Sequence, residues 1–96
     1  MTEPIRWGVM GTGGIAHTFA RDLELIDDGV IVAVGSRTHE SAQAFGAHFD
    51  VPHRHGSYEE LAADSEVDVI YVATPHPMHY GNALLALEYD KPALVE

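Results

Sequence analysis

Residues 8–19, GVMGTGGIAHTF, put three glycines (Gly11, Gly13 and Gly14) within four positions. A short apolar run, IRWGVM, precedes them, and the apolar spacing becomes helical after them. Glycine has no Cβ, so the chain can turn tightly there and another group can come close to its backbone. A helix that begins at such a turn aims unpaired N–H groups and the positive end of its dipole at whatever occupies the turn. Phosphate suits that place. The junction therefore commits this part of the chain to strand, tight turn and helix.

The spacing Gly11-x-Gly13-x-x-Ala16 is the dinucleotide fingerprint with alanine as its third small residue. Gly11 would make the turn, Gly13 would admit a pyrophosphate, and Ala16 would let helix and strand pack closely. Taken alone, the string also fits a plain strand-to-helix turn, so the rest of the chain has to supply the context.

That context is an alternation of two patterns. Short, nearly continuous apolar runs at Ile5–Met10, 30–34, 67–73 and Ala93–Val95 suit strands buried on both faces. Between them, Ala16, Phe19, Ala20 and Leu23 follow the spacing of one helix face. Ala42, Phe45, Gly46 and Phe49 do the same, as do Tyr80, Ala83, Leu84 and Leu87. Ser57 and Glu60 form a capping-box pair that opens a shorter helix. Residues 51–55 make a weak third strand, which Pro52 confines to a sheet edge. This order predicts a parallel sheet with helices on both faces, the doubly wound Rossmann topology. The chain is expected to be an incomplete dinucleotide domain over residues 1–96, truncated after its fifth strand, with a substrate domain lying elsewhere in a longer enzyme.

Composition narrows the partners. Asp and Glu outnumber Lys and Arg by 15 to 5, for a formal charge of −10. A basic footprint for nucleic acid is missing, and acidic membranes would repel this surface. No apolar stretch reaches the length of a membrane span, and the start MTEPIRWGV lacks the regions of a signal peptide. Cysteine is absent, so a disulfide framework and a cysteine zinc site are excluded. The expected location is cytoplasmic.

Two further places carry chemistry. An NAD site calls for Asp or Glu at the end of the second strand, to hold the ribose hydroxyls. This chain has Ser36 and Arg37 there, and Asp27 and Asp28 lie at the strand's other end. A guanidinium binds a 2′-phosphate that a carboxylate would repel, so the pair favours NADP over NAD. Past the fourth strand, ATPHPMH brings Thr74, Pro75, His76 and His79 to the sheet edge that holds the glycine loop. Both histidines are expected to face the cofactor. Their His-x-x-His spacing lacks an evident third ligand, so no metal is assigned. His17, His39, His48, His53 and His55 read as surface residues, and Tyr58 and Tyr71 as packing residues. No cysteine nucleophile or nucleophile elbow is present.

The opening IRWGVMGTGGIAHTF, the strand end GSRT, the segment YEELAADSEVDVIYVATPHPMH and the close ALLALEYDKPALVE together resemble the Gfo/Idh/MocA family (glucose–fructose oxidoreductase, inositol dehydrogenase, rhizopine catabolism), with a dihydrodiol dehydrogenase-like flavour. The resemblance covers essentially the whole chain. It implies an amino-terminal domain that binds NAD or NADP, and hydride transfer to or from a sugar, polyol or related carbonyl compound. It implies a second domain with an open antiparallel sheet, which supplies most substrate contacts and serves as an interface in homo-oligomers. By position, Gly11, Thr12, Gly13, Gly14 and Ile15 match the pyrophosphate loop, and Ser36, Arg37 and Thr38 the adenosine-ribose region. Thr74, Pro75, His76 and His79 match the stretch beside the nicotinamide. Glu96 matches the Glu of a Glu-Lys-Pro motif whose lysine, the usual catalytic residue, would come next. No catalytic residue is therefore expected within the chain, and the 96 residues alone are expected to lack turnover. Two other readings remain: a non-catalytic dinucleotide sensor built on the same domain, and an S-adenosylmethionine enzyme, in which Arg37 would have no evident purpose.

Overall fold

In the computed structural model, which describes residues 3–26 and 28–95, five parallel strands form one sheet in the order β3-β2-β1-β4-β5. The strands are β1 (Ile5–Met10), β2 (Gly29–Gly35), β3 (His53–His55), β4 (Val69–Val72) and β5 (Ala93–Val95). The helices are α1 (Gly14–Leu23), α2 (His39–Phe49), α3 (Tyr58–Ala62) and α4 (His79–Glu88), with a 3-10 turn at His76–Met78. The order reverses between β1 and β4, where the chain crosses from one half of the sheet to the other. At such a switch point the carboxyl ends of the strands part and leave a crevice.

Successive strand residues point to opposite faces, and the core divides accordingly. Val9 and Val34 pack with Ala16, Ala20, Ala42 and Phe45 beneath α1 and α2. Met10, Ala33, Ile70 and Val72 pack with Leu61, Ala62 and Ala86 beneath α3 and α4. Alanines at the contact points bring the helices close to the sheet, as expected of Ala16, which is fully buried. Tyr71 stacks on Phe19 with ring centroids 4.0 Å apart, and Trp7 meets Phe19 edge-on at 5.1 Å. The third strand is short and lies at the sheet edge, as Pro52 predicts.

Several expectations need correction. The fourth strand is shorter than 67–73, because Val67 is buried in a turn whose N–H donates to the Asp64 carbonyl. In α4 the predicted inner face lies outside: Tyr80 is 78% exposed and Leu87 58%, whereas His79, Asn82 and Ala86 are buried. His79 and Asn82 hydrogen-bond to Thr74 in the loop after β4, and Leu85 and Ala86 pack on the core in place of the predicted stripe. In the capping box the Ser57 hydroxyl accepts the Glu60 N–H at 3.2 Å, and no return bond from Glu60 is found among the described residues.

His39 and His48 are exposed as expected, but three other histidines depart from the surface reading. The His17 ring packs edge-on against Phe45 and Phe49 and donates to the Gly13 carbonyl at 3.0 Å. His53 and His55 are half-buried against Asp64. Asp27, one of the two acids placed at the far end of the second strand, lies outside the described residues.

Candidate functional site

The glycine loop sits where β1 ends. The Gly11 N–H donates to the Gly35 carbonyl at the end of β2, and the Ala73 N–H donates to the Met10 carbonyl. These two bonds draw together the ends of three adjacent strands. Gly11 has φ +105°, a left-handed conformation that glycine alone takes without strain, and a Cβ there would stand 3.1 Å from the Ala73 carbonyl oxygen. Gly13 differs. It caps α1 in extended backbone (φ −81°, ψ −166°), which any residue can adopt. A Cβ on Gly13 or Gly14 would meet nothing within 4 Å. Neither packing nor dihedral strain accounts for glycine at position 13.

The N-terminus of α1 opens onto a cleft of about 470 Å³. Gly11, Thr12, Gly13, Gly14 and Ile15 form one wall, Ser36, Arg37 and Thr38 a second, and Thr74 and Pro75 a third. Ser41, Tyr58 and Ala73 complete the lining and were not anticipated from the sequence. Thr38 caps α2, its hydroxyl accepting the Ser41 N–H at 3.1 Å and donating to Ser41 Oγ at 2.9 Å. Ser36 is buried, and its N–H donates to the His55 carbonyl. Arg37 is exposed beside Tyr58. Burial pushes the Tyr58 phenol above its ordinary range, against the opposing pull of the Arg37 guanidinium. Tyr58 packs against the core as expected and also lines the cleft. A signal for it existed in the sequence, since it directly follows the Ser57 cap of α3.

Charge in the cleft is the reverse of charge on the chain. Among the described lining residues Arg37 is the one ionised group, and none is acidic, although the whole chain carries 15 acids. Together with the first amides of α1, this makes an anion-receiving surface. A second hollow of similar size, about 480 Å³, lies at the opposite end of the sheet near Leu23, Glu24 and Gly29. Its described lining residues include no helix N-terminus.

His79 does not line the cleft. It is buried behind the loop and its Nε2 donates to the Thr74 carbonyl, while Asn82 Nδ2 donates to Thr74 Oγ1 at 2.7 Å. The two side chains fix Thr74 from behind, which departs from the expected cofactor-facing position of His79. The His76 side chain and Glu96 lie outside the described residues.

A parallel sheet of this order, with a glycine-started helix at its switch point, defines a Rossmann dinucleotide-binding domain. The chain belongs to the Gfo/Idh/MocA oxidoreductase family with an NAD-binding Rossmann fold, whose pattern matches residues 5–96. It is 44% identical to a D-xylose 1-dehydrogenase (NADP(+)) from Hypocrea jecorina, covering 96% of this chain and 27% of that protein. It is 40% identical to a trans-1,2-dihydrobenzene-1,2-diol dehydrogenase from Mus musculus, covering 96% and 28%. Among solved structures it resembles a 3-ketoreductase from Actinomadura kijaniata in complex with TDP-benzene and NADP, with TM-score 0.89 and 30% identity over 96% of this chain and 29% of that one. A myo-inositol dehydrogenase from Lactobacillus casei in complex with NAD(H) and myo-inositol gives TM-score 0.87 and 26% identity, covering 96% and 28%. The chain thus spans under a third of the length of these relatives. Among the described residues no helix is long and apolar enough to cross a membrane.

Proposed function

We propose that this chain is the cofactor-binding part of an NADP-preferring oxidoreductase that moves a hydride to or from a sugar, polyol or related carbonyl compound. The observation that carries the reading is the cleft lined by Arg37 and no acid, at the N-terminus of a helix that begins with glycine. The relatives agree with it, since one is an NADP(+) dehydrogenase of a sugar and the 3-ketoreductase was solved with NADP. They are dehydrogenases and reductases, which favours an enzyme over a sensor.

The residues divide the work. The amides of Gly13, Gly14 and Ile15 take the pyrophosphate, and Gly13 keeps the approach clear. Ser36, Arg37 and Thr38 take the adenosine ribose, with the guanidinium on its 2′-phosphate. Thr74 and Pro75, with His76, border the nicotinamide half, and His79 and Asn82 hold Thr74 in register. When bound, the dinucleotide supplies or accepts the hydride, and the protein contributes position and electrostatics. Substrate contacts, the lysine expected after Glu96, and homo-oligomer contacts belong to the intact protein, which we place in the cytoplasm.

Arg37→Ala tests this reading. A charge-assisted hydrogen bond contributes about 1.5–3 kcal/mol. Its loss should weaken NADP binding by roughly one to two powers of ten. NAD has no phosphate at that position, so its affinity should change little. The measurement is a pair of dissociation constants at fixed salt in the full-length protein. Equal losses for both cofactors would reduce Arg37 to a loop support and end the NADP assignment.

A further inference from the structure

The edge strand β3 carries a side-chain cluster that the dinucleotide cleft does not use. His53 and His55 are two residues apart on a strand, so both side chains project from the same face. Their rings stand 6.3 Å apart and nearly perpendicular, at 82°. Both converge on one atom, Oδ2 of Asp64, which follows α3: His53 Nδ1 donates at 2.6 Å and His55 Nε2 at 2.9 Å. The intervening Arg54 turns away, donating to the Val51 carbonyl and to Gln43 Oε1.

We infer that His53, His55 and Asp64 form a binding site for a divalent transition-metal ion of the zinc, cobalt or nickel class. Three donor atoms, two imidazole nitrogens and one carboxylate oxygen, lie within 4.8 Å of one another. Ligands of a tetrahedral zinc ion with bonds of ~2.1 Å stand about 3.4 Å apart. Replacing the two protons between the rings and Oδ2 with a metal ion thus requires the donor atoms to move only by a fraction of an ångström to about an ångström. Two nitrogens and an oxygen suit zinc, cobalt and nickel, whereas magnesium and calcium take oxygen ligands throughout.

The surroundings are those of a built site. The Asp64 side chain is only 6% exposed, and its second oxygen accepts the Glu66 N–H at 2.9 Å, which fixes the carboxylate plane. Burial pushes this carboxyl group up, but hydrogen bonds from His55, the Glu66 N–H and His53 outweigh it and hold it below the usual range. The His53 side chain is 40% exposed, which leaves a side open for water as a fourth ligand. Because the His55 carbonyl also accepts the Ser36 N–H, an ion here would clasp α3 and β3 behind the adenosine wall of the cleft. The position is that of a structural clasp, away from the nicotinamide end.

The test is calorimetric titration of the full-length protein, stripped with a chelator, with zinc chloride, and a parallel titration with cobalt followed by its visible absorption. The expected result is one saturable equivalent per chain and the absorption of tetrahedral cobalt. His53→Gln and His55→Gln should each lower the affinity more than about tenfold. His48→Gln, at an exposed histidine outside the cluster, should leave it unchanged. Zinc should also raise the thermal midpoint of the wild type but not of the double variant, since the ion binds the folded state. Absence of a saturable equivalent, or wild-type affinity in the double variant, would overturn the assignment. His53 is half-exposed, so His53→Gln keeps the test usable even where the other change disturbs folding.

Discussion

Gly13→Asp is expected to lower dinucleotide affinity at least about a hundredfold while leaving the thermal midpoint unchanged or slightly raised. The two effects separate because position 13 serves two roles. As the cap of α1 it has extended backbone, and a Cβ there meets no atom within 4 Å, so aspartate fits without strain. Aspartate is also a favoured cap, with an oxygen that accepts the first helix amides and a charge that the dipole favours. Those amides are the ones a pyrophosphate needs. Losing two charge-assisted hydrogen bonds at about 1.5–3 kcal/mol each gives a factor of a hundred or more, before repulsion between anions is counted. Titration of both cofactors alongside a melt followed by circular dichroism measures the two quantities. A fall in midpoint with affinity retained would show that glycine is there for the fold.

Gly11→Ala, by contrast, should lower the thermal midpoint. Here φ is +105°, and the added methyl would stand 3.1 Å from the Ala73 carbonyl oxygen and 3.3 Å from Thr74 Cγ2. Backbone strain of this kind costs about 1–3 kcal/mol. A domain of this size loses roughly 4–8 °C per kcal/mol, so the midpoint should drop by on the order of 10 °C. Affinity should fall as well, because the loop joins the ends of β1, β2 and β4. The discriminating readout is the melt of the protein without cofactor. An unchanged midpoint there would mean that the turn tolerates a side chain, and that the strand ends are not tied through Gly11.

The fingerprint spacing gives the turn to Gly11 and the open approach to Gly13, but the sequence does not show the φ of +105° that makes the turn costly to change. What it does reveal is the element order, because runs of Val, Ile and Met between helical spacings leave few other arrangements. The walls of the cleft are legible for the same reason: Gly11, Ser36 and Thr74 each follow a strand, and parallel strands end on one side. The face of α4 is not legible. Tyr80, Leu84 and Leu87 have the spacing of a buried stripe, yet burial there follows the hydrogen-bond needs of Thr74, which His79 and Asn82 satisfy. Periodicity reports apolar content and is silent about such polar demands. The His53–His55–Asp64 cluster is hidden for a related reason, since its third member comes from the turn after α3 and meets β3 only in the folded sheet.

The central claim is that the cleft at the β1/β4 switch point receives a dinucleotide, phosphates first, with Arg37 on the adenosine side. Amide chemical-shift mapping of the isotope-labelled full-length protein with NADP+, and then with NAD+, tests it most directly. The account predicts the largest shifts at residues 11–15, 36–38 and 73–75, with the Arg37 and Thr38 amides moving more for NADP+ than for NAD+. Shifts concentrated near Leu23, Glu24 and Gly29, or an identical response of residues 36–38 to the two cofactors, would contradict it.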